Sequence, residues 1–300
     1  MGFKQKIKQY PWIYNSLLFF LNSTDYFNKR FHKVFPRYIV SPYWRARIDK
    51  VKQSSDNNKI QHVKDAGRIF PGHQLMHNGI RITLGSYYDY GNTHLLVENK
   101  GVHEPQEEYV FQQVLPFIRE GGTMMELGSY WAFYSLWFAS VVKKARCIMI
   151  EPDPHKMNFG KLNFKLNALH GEFRLGFIDG ITNESPSIPV YNVDHLVKMF
   201  NVDFLDILHS DIQGYELKML QGATTALSTK KIGYVFISTH SNELHRDCIN
   251  ELKKHGYIIV ADADLDETYA TDGIIVAKLP GQPGPDSVAI SKAVSHRSHG

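Results

Sequence analysis

Three hundred residues, 43% apolar and 21% charged, give enough chain to bury a core as one large domain or two small ones. That composition excludes a collagenous, coiled-coil or wholly disordered protein. The longest apolar run near the start, Ser16 to Leu21, is far below the ~18 residues of a membrane span, and no small-residue cleavage site follows it. Cys147 and Cys248 alone make neither a disulfide framework nor a zinc module, so a reducing cytoplasm is the expected location.

The net charge of +4 is unevenly spread: residues 1–52 hold eleven Lys and Arg against Asp25 and Asp49, while the remainder holds 23 bases against 28 acids. A basic, aromatic arm therefore precedes a mildly acidic body. The arm reads as mostly helical over 1–50, with breaks at Pro11, Pro36 and Pro42. It suits either a cap packed on the body or a contact with anionic lipid, a polyanionic substrate or a second copy in a homodimer. Residues 53–60 are polar and read as a linker. From 60 to 100, short segments punctuated by Gly67, Pro71-Gly72, Asn78-Gly79 and Gly91-Asn92 predict hairpins, with His94–Val97 as one strand.

After Gly101 the rhythm changes. Helices are expected over 107–118, 133–142, 154–167, 193–200, 214–227 and 242–255. They alternate with strands at 122–126, 147–150, 173–177, 205–209 and 234–238, and strands 257–260 and 273–277 close the pattern as an antiparallel pair. Such alternation argues an α/β fold with a mostly parallel sheet covered on both faces. The organisation expected is a basic helical and hairpin extension over 1–100, the α/β domain over 101–280, and a disordered tail over 281–300 in which His296 and His299 have no role.

In an open parallel sheet, ligands collect beyond the carboxyl ends of the strands. The strand at 122–126 ends in Glu126-Leu-Gly128-Ser129-Tyr130-Trp131-Ala132, where a glycine permits close backbone approach and helix amides follow. The next strand ends in Glu151-Pro152-Asp153, 25 residues beyond Glu126, and an acid there is placed to accept both ribose hydroxyls of a nucleoside. Asp153 instead fits the start of the following helix. No Gly-x-Gly-x-x-Gly occurs, and a carboxylate stands where a pyrophosphate would need bare amides. An adenosine cofactor without phosphates, S-adenosylmethionine, fits both facts. Asp179, at the third strand end, is placed either to reach the adenine amino group or to make a plain Asp-Gly turn.

The run Asp206-Ile-Leu-His209-Ser-Asp211-Ile-Gln213-Gly214-Tyr-Glu216, ending in Gly222-Ala223, is the most specific. On this run, with Glu126-x-Gly128 and Glu151-Pro152, the chain over about 105–280 resembles the FkbM family of S-adenosylmethionine-dependent methyltransferases. The resemblance implies a Rossmann-like class I methyltransferase fold, with a mostly parallel seven-stranded sheet. It also implies methyl transfer to a hydroxyl, often on a sugar or polyketide-type product. Glu126, Gly128, Glu151 and Asp211 carry over by position. Ala132 replaces a family glycine, His209 a lysine and Gln213 a glutamate, and Ser238–Ser241 stands where the family shows Glu-x-His.

Adjacent strands would bring His209, Asp211 and His240 together above the sheet. A histidine base oriented by Asp211 would remove the acceptor's proton. The same three side chains could instead ligate a divalent metal ion. The expected reaction is O-methylation of a sugar or glycan-type small molecule, without a nucleic-acid partner. A metal-dependent hydrolase and a non-catalytic scaffold are the alternatives.

Overall fold

The computed structural model describes residues 24–294. The part of the arm before Thr24, and His296 and His299, lie outside the described residues.

The arm's remainder is helical as read. Helix α1 (Thr24–Val34) runs into a tight turn at Pro36, and α2 (Pro42–Lys52) starts on Pro42 with Ser41 accepting from the Trp44 amide. Trp44, Ile48 and Val51 are spaced to share one face of α2, and all three are buried in the main core. The expected linker at 53–60 is instead a packed 3₁₀ turn, Ser55–Asn58, whose Asp56 is completely buried.

Three short strands, β1 (Ile69–Phe70), β2 (His73–Leu75) and β3 (Arg81–Thr83), form the expected antiparallel meander. His94–Val97 is no strand; it lies in α3 (Tyr90–Glu98). A four-residue apolar run fits either element, and Asp89 decides it by capping the helix through the Gly91 amide at 2.8 Å.

The α/β body then follows the predicted order. Helix α4 (Pro105–Val114) leads to β4 (Thr123–Leu127), α5 (Phe133–Val141), β5 (Arg146–Glu151), α6 (Pro154–Leu166) and β6 (Glu172–Leu175). A small parallel pair, β7 (Phe177–Ile178) and β8 (Val190–Tyr191), precedes α7 (Val193–Met199) and β9 (Leu205–Ser210). The helix predicted over 214–227 is split at Gly222 into α8 (Glu216–Gln221) and α9 (Thr224–Ser228). Then come β10 (Ile232–Thr239), α10 (Asn242–Lys254), β11 (Ile258–Ala263) and β12 (Gly273–Lys278).

Seven strands form one sheet in the order β11-β12-β10-β9-β4-β5-β6, parallel except for β12, which runs antiparallel to both β10 and β11. From β4 the chain winds outward through β5 and β6, then returns to the other side through β9 and β10. The strand order therefore reverses between β4 and β9, which opens a crevice at their carboxyl ends. Residues of α4, α5 and α6 cover one face, and those of α7 to α10 the other, as the alternating pattern required.

Residues 281–294, expected to be disordered, pack on the body. The Val288 amide donates to the Val260 carbonyl at 2.9 Å, the Tyr234 hydroxyl donates to the Pro283 carbonyl at 2.7 Å, and Lys278 pairs with Asp286. Asp56 accepts from both the amide (2.8 Å) and the hydroxyl (2.6 Å) of Ser291. The segment is held by isolated hydrogen bonds and by Val288 and Ile290 packed on the main core, too few apolar positions to make a readable periodicity. Asp56→Ala is expected to destabilise the protein by about 1–3 kcal/mol, since it removes a completely buried acceptor that serves both donors of the half-buried Ser291. Urea unfolding measures this, with proteolytic cleavage after residue 280 appearing first in the variant.

Candidate active site

A cavity of about 440 Å³ opens where the strand order reverses, a size suited to a small-molecule site. Every residue assigned to the cofactor from sequence lines it: Glu126, Gly128, Ser129, Tyr130, Glu151, Pro152, Asp179 and Asp211.

Gly128 sits at φ +74°, and a Cβ there would lie 1.9 Å from the Asp211 carbonyl oxygen. The β4 and β9 loops thus touch backbone to backbone, so only glycine fits. Beyond it, Tyr130 (φ +41°) and Ala132 (φ +58°) also adopt the left-handed conformation. Ala132 is fully buried, so the glycine common at its position in the family answers a backbone need that alanine meets at some strain.

Glu151 fixes this loop. Its carboxylate accepts from the Tyr130 amide at 3.0 Å and the Asp153 amide at 2.8 Å, one on each oxygen, which leaves further acceptor capacity on both. Burial pushes its carboxyl pKa up, opposed by those two amides. Asp153 is the helix cap that its position implied, accepting from His155 at 2.7 Å. Glu126 is buried at the end of β4 and accepts from the Ser135 amide in the first turn of α5 at 3.0 Å; burial raises its pKa as well. Asp179 accepts from the Gly180 amide at 2.6 Å, as a turn aspartate would, and still faces the cavity.

Of the three side chains read as one catalytic cluster, Asp211 and His240 meet, whereas His209 is held by Glu107. His209 lies in register with Glu126 on β4 and Phe236 on β10 and is 3% exposed. Its Nε2 is 2.7 Å from Glu107, its ring packs 4.3 Å from that of Tyr134, and its Nδ1 has no hydrogen-bond partner. Burial disfavours the charged imidazole, yet Glu107, with Glu126 and Asp211 beyond it, outweighs that and raises the His209 pKa. His209 is thus a wall residue held by a carboxylate rather than a free base.

Asp211 faces the cavity, whereas His240 does not line it and stands behind Asp211. The His240 Nδ1 is 3.0 Å from Glu216, and its Nε2 is 3.4 Å from Asp211 and 3.5 Å from Asp272. Burial opposes the charge on His240, but contacts with Asp211 and Glu216 push its pKa up to about 10. Burial and the charges of Asp211 and Glu104 push Asp272 up to about 6. Among the described residues, no group of three or more His, Cys, Asp and Glu is arranged to hold a metal ion, so the metal-ligand reading of His209, Asp211 and His240 lacks a site.

Sequence reasoning missed much of the cavity wall. Glu107, buried in α4, holds His209 and accepts from the Ser238 hydroxyl. His103 lies 2.6 Å from Glu108 and 3.3 Å from Glu104, which also accepts from the Tyr134 hydroxyl at 3.1 Å. Desolvation is overcome by these acids and the His103 pKa is pushed up to about 10. The run His103-Glu-Pro-Gln-Glu-Glu108 reads as an exposed acidic helix start, and nothing in its local pattern signals burial. Tyr87, stacked on Trp131 at 4.2 Å, and Tyr88 complete the wall from the extension.

The site fits an adenosine cofactor without phosphates. Ser129 Oγ is buried on the cavity wall with no partner, Glu151 retains acceptor capacity, and Lys156 is the lone Lys or Arg among the lining residues. With the reversed strand order, these features define the class: an S-adenosylmethionine-dependent methyltransferase. A family model described as methyltransferase FkbM domain matches residues 165–259, which contain Asp211 and the whole of β9. No curated protein sequence matches the chain. Solved structures that resemble it include the precorrin-6Y C5,15-methyltransferase of Geobacter metallireducens (15% identity, 57% of this chain and 89% of that one, TM-score 0.40). TrmK of M. capricolum, in complex with S-adenosylhomocysteine, is another (14%, 59% and 69%, 0.40). Fibrillarin of Aeropyrum pernix with bound S-adenosylmethionine is a third (16%, 54% and 68%, 0.38).

Two outcomes follow from this geometry. Gly128→Ala should cost about 1–3 kcal/mol through backbone strain alone, read as a lowered Tm. His103 and His240 both have native pKa values near 10, above the ordinary 6.5, so the stability they confer is complete below pH 6.5 and lost as pH rises through 10. Urea midpoints should fall over that window, and less steeply in His240→Gln.

Proposed function

We propose that the protein is a cytoplasmic O-methyltransferase that methylates a hydroxyl of a sugar or glycan-type small molecule, with Asp211 receiving the hydroxyl proton. The observation that carries this reading is that the carboxylates of Glu126 and Glu151, at the tips of adjacent strands, share one cavity with Asp211. S-adenosylmethionine, when bound, would supply a methyl group carried on its sulfonium sulfur.

The chain's own residues do the rest. Glu151 accepts the ribose hydroxyls; Gly128, Ser129 and Glu126 hold the methionine portion; Pro152, Tyr130 and Asp179 flank the adenosine. The acceptor oxygen is a poor nucleophile until its proton leaves, and Asp211 is the catalytic-cluster member with an open path to it. His240 steadies the charge on Asp211 from behind, and the Glu107–His209 pair holds the wall beneath. Catalysis otherwise rests on alignment of oxygen, carbon and sulfur.

A sugar-type acceptor suits the remaining wall. Tyr87, Tyr88, Trp131 and Tyr134 present aromatic rings beside Glu104 and Asp211, so ring faces and hydroxyl acceptors occur together. The two histidines on that side, His103 and His209, are each engaged by a carboxylate, which leaves neither to welcome a phosphate.

Calorimetry with S-adenosylmethionine tests the cofactor assignment. Wild type should bind, and Glu151→Ala, folded by circular dichroism, should bind about 10- to 100-fold more weakly, the worth of hydrogen bonds to a charged group. No heat from wild type at high micromolar ligand would end the reading. Asp211→Asn should keep cofactor affinity within about threefold while lowering methyl transfer to neutral glycosides by roughly 100-fold or more.

A further inference from the structure

We propose that the surface made by Arg30, Lys33, Arg37, Ile39 and Tyr43 seats the protein on an anionic lipid bilayer beside the mouth of the cavity.

From Lys29 to Lys52 the chain carries eight Lys and Arg and a single acid, Asp49. Several of these bases are engaged: Arg45 and Lys52 pair with Glu98, and the Lys50 ammonium donates to the Ala270 carbonyl. Arg30, Lys33 and Arg37 are exposed and form no ion pair with any described residue. Between and beside them project two side chains of the type that enters a headgroup layer. Ile39 is 87% exposed and Tyr43 62% exposed, with Val34 also uncovered. Free cations flanking an aliphatic and an aromatic tip match an anionic interface, where the charges draw the protein in and the apolar tips partition. A nucleic acid could also use the cations and the Tyr43 ring, which is why an RNA competitor belongs in the test.

The patch is tied to the cavity. The Tyr38 ring packs 5.7 Å from that of Tyr90, and the Trp44 indole donates to Asp89 at 3.0 Å. Asp89 follows Tyr88, which lines the cavity and is itself half exposed. Ile39 and Tyr43 therefore lie one residue from the two side chains that anchor the cavity's Tyr88 loop. Docked by this surface, the protein would meet acceptors presented at the headgroup layer. The docking does not depend on the acceptor class given above.

Sedimentation of the full chain with vesicles tests it. Vesicles of phosphatidylcholine containing about one third phosphatidylglycerol should retain at least about tenfold more protein than phosphatidylcholine alone, with the difference shrinking at high salt. The double variant Arg37→Glu/Ile39→Asp should lose most of that binding while its S-adenosylmethionine affinity stays unchanged. Equal retention on both vesicles would overturn the proposal. So would a double variant that binds like wild type, or a homopolymeric RNA that displaces the vesicles.

Discussion

A carboxylate buried at the end of a parallel strand is costly unless something satisfies it, and Glu126 and Glu151 are satisfied in the same way. Each takes backbone amides from the turn or helix that follows, so each carboxylate both organises its loop and remains on the cavity wall. The remaining features follow from that. The loop after β4 is bent enough to need left-handed residues, and its glycine is pressed against the backbone of Asp211. The loop that carries Glu126 and the backbone of Asp211 are thereby fixed relative to one another by main chain, which side-chain motion cannot relax.

The extension is part of the same machinery. Residues of α2 and β3 share one core with α4 and α5, and the Tyr88 amide donates to the Tyr130 hydroxyl across the cavity rim at 2.9 Å. The amide of Tyr130 in turn binds Glu151. One chain of contacts thus runs from Tyr38 and Trp44 of the extension through the Tyr88 loop to the loop after β4, which meets it at a single aromatic lip.

What could be read from the sequence divides along physical lines. Strand-end acids followed by glycine, and the long strand–turn–helix motif around Asp211, are local signals, and the residues that carry them line one cavity. The strands alternating with helices were legible because a sheet buried on both faces demands continuous apolar runs. Burial of polar groups was not legible. Glu107 and His103 look like solvent-facing helix-start residues, and Asp56 looks like part of a linker; His209 meets Glu107, Ser291 meets Asp56, and the rings of Trp131 and Phe133 cover His103, all from far along the chain. The partners of the two histidines escaped for the same reason: a carboxylate from α4 holds His209, and Glu216 and Asp272 join Asp211 around His240.

The central claim is a geometric one, and a crystal structure of the complex with S-adenosylhomocysteine tests it most directly. The account predicts both ribose hydroxyls within hydrogen-bonding distance of the Glu151 carboxylate, the homocysteine part against Gly128 and Ser129, and the sulfur turned toward Asp211. A ligand bound elsewhere, or one whose ribose lies away from Glu151 with the sulfur turned from Asp211, would contradict it.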